Sequence, residues 1–104
     1  MAKPVRLRSL ATHDINGAVD HQRQGGDVVA ARFIDALERS LTRIGRQPHI
    51  GALRYSYDLD IPELRYVALA RFPYAVFYLD ADDEIDVWRI LHTRRDIPAV
   101  LANS

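Results

Sequence analysis

Cysteine is missing from the chain, which removes disulfide frameworks and thiolate chemistry and suits a reducing compartment. Long apolar runs are missing too: none approaches the roughly 18 residues of a membrane-spanning helix. The opening Met1-Ala2-Lys3-Pro4 has no apolar stretch of the signal-peptide kind. The expected location is therefore cytoplasmic, with no membrane partner. Net charge is also absent, since 14 Lys/Arg balance 14 Asp/Glu. Proteins that grip nucleic acid carry a net basic footprint, so direct sequence-specific nucleic-acid binding by the chain alone is not expected. Lysine is nearly absent, with Lys3 alone beside thirteen arginines. Genome base composition can produce that bias, and so can a need for bidentate pairing to carboxylate or phosphate.

What remains is ordinary globular material: 48% hydrophobic and 27% charged over 104 residues, enough for one core and one domain spanning 1–104. Charge is unevenly spread. Residues 1–57 hold nine basic against five acidic side chains, and residues 58–104 hold five against nine.

Val5-Arg6-Leu7-Arg8 alternates apolar and charged residues, the pattern of a short half-buried strand. Thr12 suits a helix N-cap, with Asp14 in the first turn where the helix dipole favours it. Ala11, Ile15, Ala18, Val19 and Gln22 share one helical face. Gly17 within it costs about 1 kcal/mol relative to alanine. Gly25-Gly26 breaks the helix, and Asp27 is placed to cap a stronger one. There Ala30, Phe33, Ile34, Leu37, Leu41 and Ile44 form the core-facing stripe, while Arg32, Asp35, Arg39, Arg43 and Arg46 lie opposite. Gly45 and Pro48 read as its stop signals. Residues 49–62 read as a loop. Strands are predicted over Leu64 to Arg71, Tyr74 to Leu79 and Ile85 to His92. Asp96 and Pro98 open a last short helix over Ala99 to Leu101. The order β-α-α-β-β-β-α predicts an α+β fold, a helical hairpin packed on a largely antiparallel sheet.

Recognisable chemistry is sparse. No histidine pair has metal spacing, and there is no nucleophile elbow, phosphate-binding glycine loop or Ser/Cys triad. No metal and no cofactor is expected, and His13, His21 and His49 read as surface residues. Strand alternation puts Asp86, Trp88, Ile90 and His92 on one face and Ile85, Val87, Arg89 and Leu91 on the other. A charge among aliphatic residues is costly unless it is paired or opens to a groove. Arg65 and Arg71 similarly share a face with Val67 and Leu69. Such arginines suit acidic side chains or phosphate, or internal pairing with Asp86, Asp96 or Glu63. The Arg32, Arg39 and Arg43 ridge suits an acidic partner helix, or a solvated face supported by an Asp35–Arg39 pair.

Several separated segments together resemble the ParE/RelE superfamily of toxins from type II toxin–antitoxin pairs, nearer the ParE branch. They are Ala11-Thr12-His13-Asp14-Ile15, the Ala30/Phe33/Leu37 spacing, Pro48-His49-Ile50-Gly51 with Arg54, Leu64-Arg65, Phe72 to Tyr78, and Arg89-Ile90-Leu91-His92-Thr93-Arg94-Arg95-Asp96. The resemblance implies a RelE/ParE-like fold and a cognate ParD-like antitoxin with an acidic tail, bound at Arg32, Arg39 and Arg43. For the ParE branch it implies non-enzymatic inhibition of DNA gyrase, and the placement of Arg89, His92, Arg94 and Arg95 at the end of the last strand and before the final helix makes them the target-binding candidates. For the RelE branch it implies a ribosome-dependent messenger RNA endoribonuclease, with Arg71, Arg89 and His92 as its catalytic candidates. A family member that only binds its antitoxin is a third possibility. The chain lacks the C-terminal tyrosine and the lysine-rich character of many of those ribonucleases, and this favours ParE. Many ParE relatives carry a tyrosine pair where Asp20-His21 stands here, and the loop Tyr55 to Pro62 is longer than usual.

Overall fold

The computed structural model describes residues 2–104. Strand β1 (Val5–Leu7) leads into a hairpin of α1 (Ser9–Arg23) and α2 (Asp27–Arg46). A 3-10 turn (Pro48–Ile50) and the short α3 (Arg54–Asp58) follow, then β2 (Arg65–Ala68), β3 (Tyr74–Asp80), β4 (Ile85–His92) and α4 (Ile97–Ala102). The four strands form one sheet in the order β1-β4-β3-β2. β1 runs parallel to β4, while the other two pairings are antiparallel. This is the α+β architecture expected.

The two faces of the sheet carry separate cores. One holds Phe33, Leu37 and Ile44 of α2 and Ala11 and Ala18 of α1 against Val76, Tyr78, Ile85, Val87 and Ile90. The other holds Ile97 and Leu101 of α4 against Leu64, Ala75, Phe77 and Leu91, with Tyr55, Tyr66 and Trp88 packed alongside. The strongly periodic stripe of α2 is therefore core, as expected, except that Ile34 stays 38% exposed.

Several boundaries differ from the sequence reading. α1 begins at Ser9, its N-cap position is Arg8, and no side chain caps it, so neither Thr12 nor Asp14 serves its start. α2 likewise begins at Asp27 after Gly26, whose φ of 108° only glycine adopts easily. α2 also runs through Gly45 to Arg46. Gly45 is no stop signal: the N-terminal chain crosses it, Lys3 N–H donates to its carbonyl at 2.9 Å, and a Cβ there would lie 2.9 Å from the Lys3 carbonyl oxygen. The expected loop 49–62 contains a 3-10 turn and α3. β2 ends at Ala68 rather than Arg71.

The segment Pro48 to Gly51 is tied to the sheet by one buried hydroxyl. Tyr78 Oη donates to the Pro48 carbonyl at 2.7 Å and accepts the Gly51 N–H at 3.0 Å. Arg65 donates to the carbonyls of His49 (3.1 Å) and Gly51 (2.8 Å). A Cβ on Gly51 would stand 2.6 Å from the Tyr78 oxygen, so glycine is required there for close approach. Burial pushes the Tyr78 phenol above its ordinary value, partly offset by the Gly51 hydrogen bond.

Candidate functional site

The site begins where β1 runs out. Its three residues pair only with Ile85, Asp86 and Val87, leaving the edge of β4 beyond them without a strand neighbour. Asp14 of α1 fills that place. Its Oδ2 accepts the Ile90 N–H at 3.0 Å and the Arg89 Nε–H at 2.7 Å, and its Oδ1 accepts from Arg89 Nη2 at 2.8 Å. The pair is well shielded, with side chains 11% and 7% exposed for Arg89 and Asp14. Arg89 Nη1 donates to Ser104 Oγ at 2.7 Å. The hydrogen bond from Arg89 to Asp14 raises the guanidinium value further, outweighing desolvation.

Arg89 does pair internally with a carboxylate, but with Asp14 rather than Asp86, Asp96 or Glu63, and of its expected aliphatic neighbours only Leu91 stays on its side of the sheet. A bulge lets Phe77 pair with Arg89 while Tyr78 pairs with Val87, so Trp88 is the extra residue. The bulge breaks the alternation: Ile85, Val87 and Ile90 join the core beneath the hairpin, and Leu91 joins the core under α4. Of the acidic partners expected, Asp86 is taken by Arg8, which donates at 3.0 and 2.8 Å. Arg8 also lies 4.3 Å from the Trp88 ring centroid. The Arg8 hydrogen bonds hold the Asp86 carboxyl below the usual range against the opposing effect of burial. Asp96 instead accepts the Ala99 N–H at 3.3 Å and starts α4, as expected.

Beside the Asp14–Arg89 pair lies a hollow of about 380 Å³ between α1 and the end of β4. His13, Gly17, Tyr74, Arg89, His92 and Arg95 contribute to its lining. The His92 ring stands edge-on to Tyr74 at 5.1 Å, and its Nδ1 accepts the Arg94 N–H at 3.1 Å. That bond leaves the proton of a neutral imidazole on Nε2, which can donate. Arg94 and Arg95 are exposed just ahead of α4. Arg89, His92 and Arg95 thus meet at one place, with Arg94 flanking them. The sequence reading passed over Tyr74, read His13 as a surface residue, which it is, without linking it to this site, and placed Asp14 at a helix start. Only the shortness of Val5-Arg6-Leu7-Arg8 beside the eight-residue β4 signalled that β4 would need another edge partner.

Arg71 lies elsewhere. It lines a groove of about 870 Å³ between α2 and the edge of the sheet, together with Arg32, Arg39, Arg43, Val29 and Phe72. Asp35 pairs with Arg39 at 3.1 Å across one helical turn, both side chains being exposed. Arg71 adopts a left-handed φ of 68° in the turn between β2 and β3. β2 is the edge strand. Tyr66 exchanges two 3.0 Å bonds with Ala52 on that edge. The alternation of an antiparallel strand then turns the Ala68 amide and carbonyl outward into the groove. The groove therefore combines basic side chains, an apolar floor and an open strand edge.

No helix among the described residues is long and apolar enough to cross a membrane. No group of three or more His, Cys, Asp or Glu side chains among them is placed to hold a metal ion.

A short β1, a helical hairpin over a four-stranded mixed sheet and a small helix after β4 define the ParE-like toxin class of α+β folds. A chain of the solved structure "Chromosomal ParDE TA system from P. aeruginosa" is similar over 89% of this chain and 98% of its own. The TM-score is 0.74 and the identity 20%, a likeness of fold. The family described as "ParE toxin of type II toxin-antitoxin system, parDE" matches residues 5–97, and the chain belongs to it. Among curated proteins nothing matches. The protein is a ParE-type toxin of a type II toxin–antitoxin system.

Proposed function

We propose that the chain inhibits DNA gyrase by binding it, without catalysis, and that a ParD-like antitoxin with an acidic tail neutralises it. Membership in the ParE family over residues 5–97 carries this reading. Two features of the site support it. Arg89, a catalytic candidate for a ribonuclease, is engaged by Asp14 and Ser104. Arg71, another, lies in a different hollow from His92. The surface around Arg89, His92, Arg94 and Arg95 is then a target-binding face.

The antitoxin tail belongs in the groove of Arg32, Arg39, Arg43 and Arg71. An acidic segment gains charge-assisted hydrogen bonds there, and an extended one can also pair with the open edge at Ala68. The left-handed Arg71 fits the same reading, since strained backbone conformations cluster at binding sites.

Induction of the chain alone in cells tests the proposal. The expected result is an SOS-type DNA-damage response with ribosome-bound messages intact, relieved by the co-expressed antitoxin. Codon-phased message cleavage without DNA damage would move the function to the ribonuclease branch.

A further inference from the structure

Tyr74 is only 7% exposed. It lines the hollow between α1 and the end of β4. Apart from the Asp14 carboxylate, every polar side chain lining this hollow can donate a hydrogen bond. His92 keeps its Nε2–H free because Nδ1 already accepts from Arg94. Arg95 lines the same hollow and is exposed, and His13 stands across from them on α1. The neighbouring Asp14 carboxylate is neutralised by Arg89. Gly17 forms part of the wall, and a Cβ there would meet nothing within 4 Å. A glycine within an exposed helix turn is unfavourable for the helix, and here it keeps the hollow open.

We propose that this hollow is an oxyanion pocket that receives a single carboxylate, from an aspartate or glutamate side chain of the protein this face engages. The proposal rests on the reading of the β4 end as the target face. One guanidinium, two imidazoles and a phenol suit one carboxylate. A nucleic-acid backbone would need a track of cations, and the chain as a whole has no net charge. Tyr74 and His92 act as fixed donors here, held by their mutual edge-on packing and by the Arg94 N–H.

The test separates this pocket from the identity of the target. Side-chain NMR of the chain is followed during titration with N-acetyl-glutamate N-methylamide and, separately, with inorganic phosphate and a short single-stranded oligonucleotide. Saturable shifts of the His13, His92 and Tyr74 rings are expected with the glutamate probe. They should weaken at least tenfold in Tyr74→Phe and in Gly17→Leu, which fills the hollow and removes no charge. Gly17→Leu should melt no lower than the parent, bind antitoxin unchanged and lose toxicity. No saturable shift with the glutamate probe, or tighter binding of phosphate or oligonucleotide, overturns the carboxylate assignment. Full toxicity in Gly17→Leu overturns the pocket's role at the target face. Should the probe bind as expected while gyrase is unaffected by the chain, the pocket stands and the gyrase reading fails.

Discussion

Asp14 and Arg89 form the contact that closes the free edge of β4 beyond β1. Breaking a shielded ion pair by deleting one partner leaves the other charge uncompensated, at a cost of about 3 to 5 kcal/mol. Asp14 additionally satisfies the Ile90 N–H. Asp14→Ala should therefore lower the melting temperature strongly, and Arg89→Ala should do so as well. Loss of toxicity in either variant then reports folding rather than contact, and a melt within 1–2 °C of the parent for Asp14→Ala would show that the pair is dispensable. Tyr78 is the second such residue. Tyr78→Phe strands the Gly51 N–H and Pro48 carbonyl, at about 1 to 3 kcal/mol. Because burial raises the phenol in the folded state, its stabilising contribution is complete below about pH 10 and is lost as pH rises through the raised value. Denaturation followed against pH should show this alkaline loss in the parent and not in Tyr78→Phe. Asp86 behaves in the opposite sense. Arg8 depresses its carboxyl, so the stability it contributes is complete above about pH 4 and disappears as pH falls through the lowered value. Arg8→Ala should reduce stability at neutral pH and flatten that acid limb.

Among the elements, α1 and α2 use glycine for opposite reasons, and paired substitutions distinguish them. Gly17→Ala should raise stability by up to about 1 kcal/mol, since its surroundings are open. Gly45→Ala should lower it, because the new Cβ meets the Lys3 carbonyl at 2.9 Å. Equal melting shifts of the same sign would contradict the packing of the N-terminal chain over α2. The sequence made α2, β3 and β4 legible because their periodicity is strong and their lengths sufficient. Gly45 was misread because a helical glycine kept for the close approach of another segment has the same local pattern as a stop signal. The bulge at Trp88 left no local signature either, and it undid the face assignment of Arg89. In the candidate site, the clustering of Arg89, His92 and Arg95 was visible from their nearness in sequence. Tyr74, His13 and the Asp14 partnership depend on α1 lying across the open edge of β4, a tertiary relation. The Arg71 position was read from a strand that in fact ends three residues earlier, at Ala68.

At the scale of the whole molecule, the two clusters of basic residues line separate hollows. The groove of Arg32, Arg39, Arg43 and Arg71 lies between α2 and the β2 edge, whereas Arg89, His92 and Arg95 lie by α1 at the end of β4. Antitoxin affinity and toxicity should accordingly be separable by mutation. Charge reversal at Arg32 and Arg39 together should weaken the antitoxin complex and reduce its salt sensitivity, with toxicity retained. Unchanged affinity and salt dependence would place the antitoxin tail elsewhere. The most direct measurement is a purified gyrase supercoiling reaction with the parent chain and with Arg94→Ala/Arg95→Ala, a variant that should fold and bind antitoxin normally. Inhibition by the parent, reversed by antitoxin and lost in the double variant, is the predicted result. Uninhibited supercoiling with the folded parent chain would contradict the account, and equal inhibition by the double variant would remove Arg94 and Arg95 from the target face.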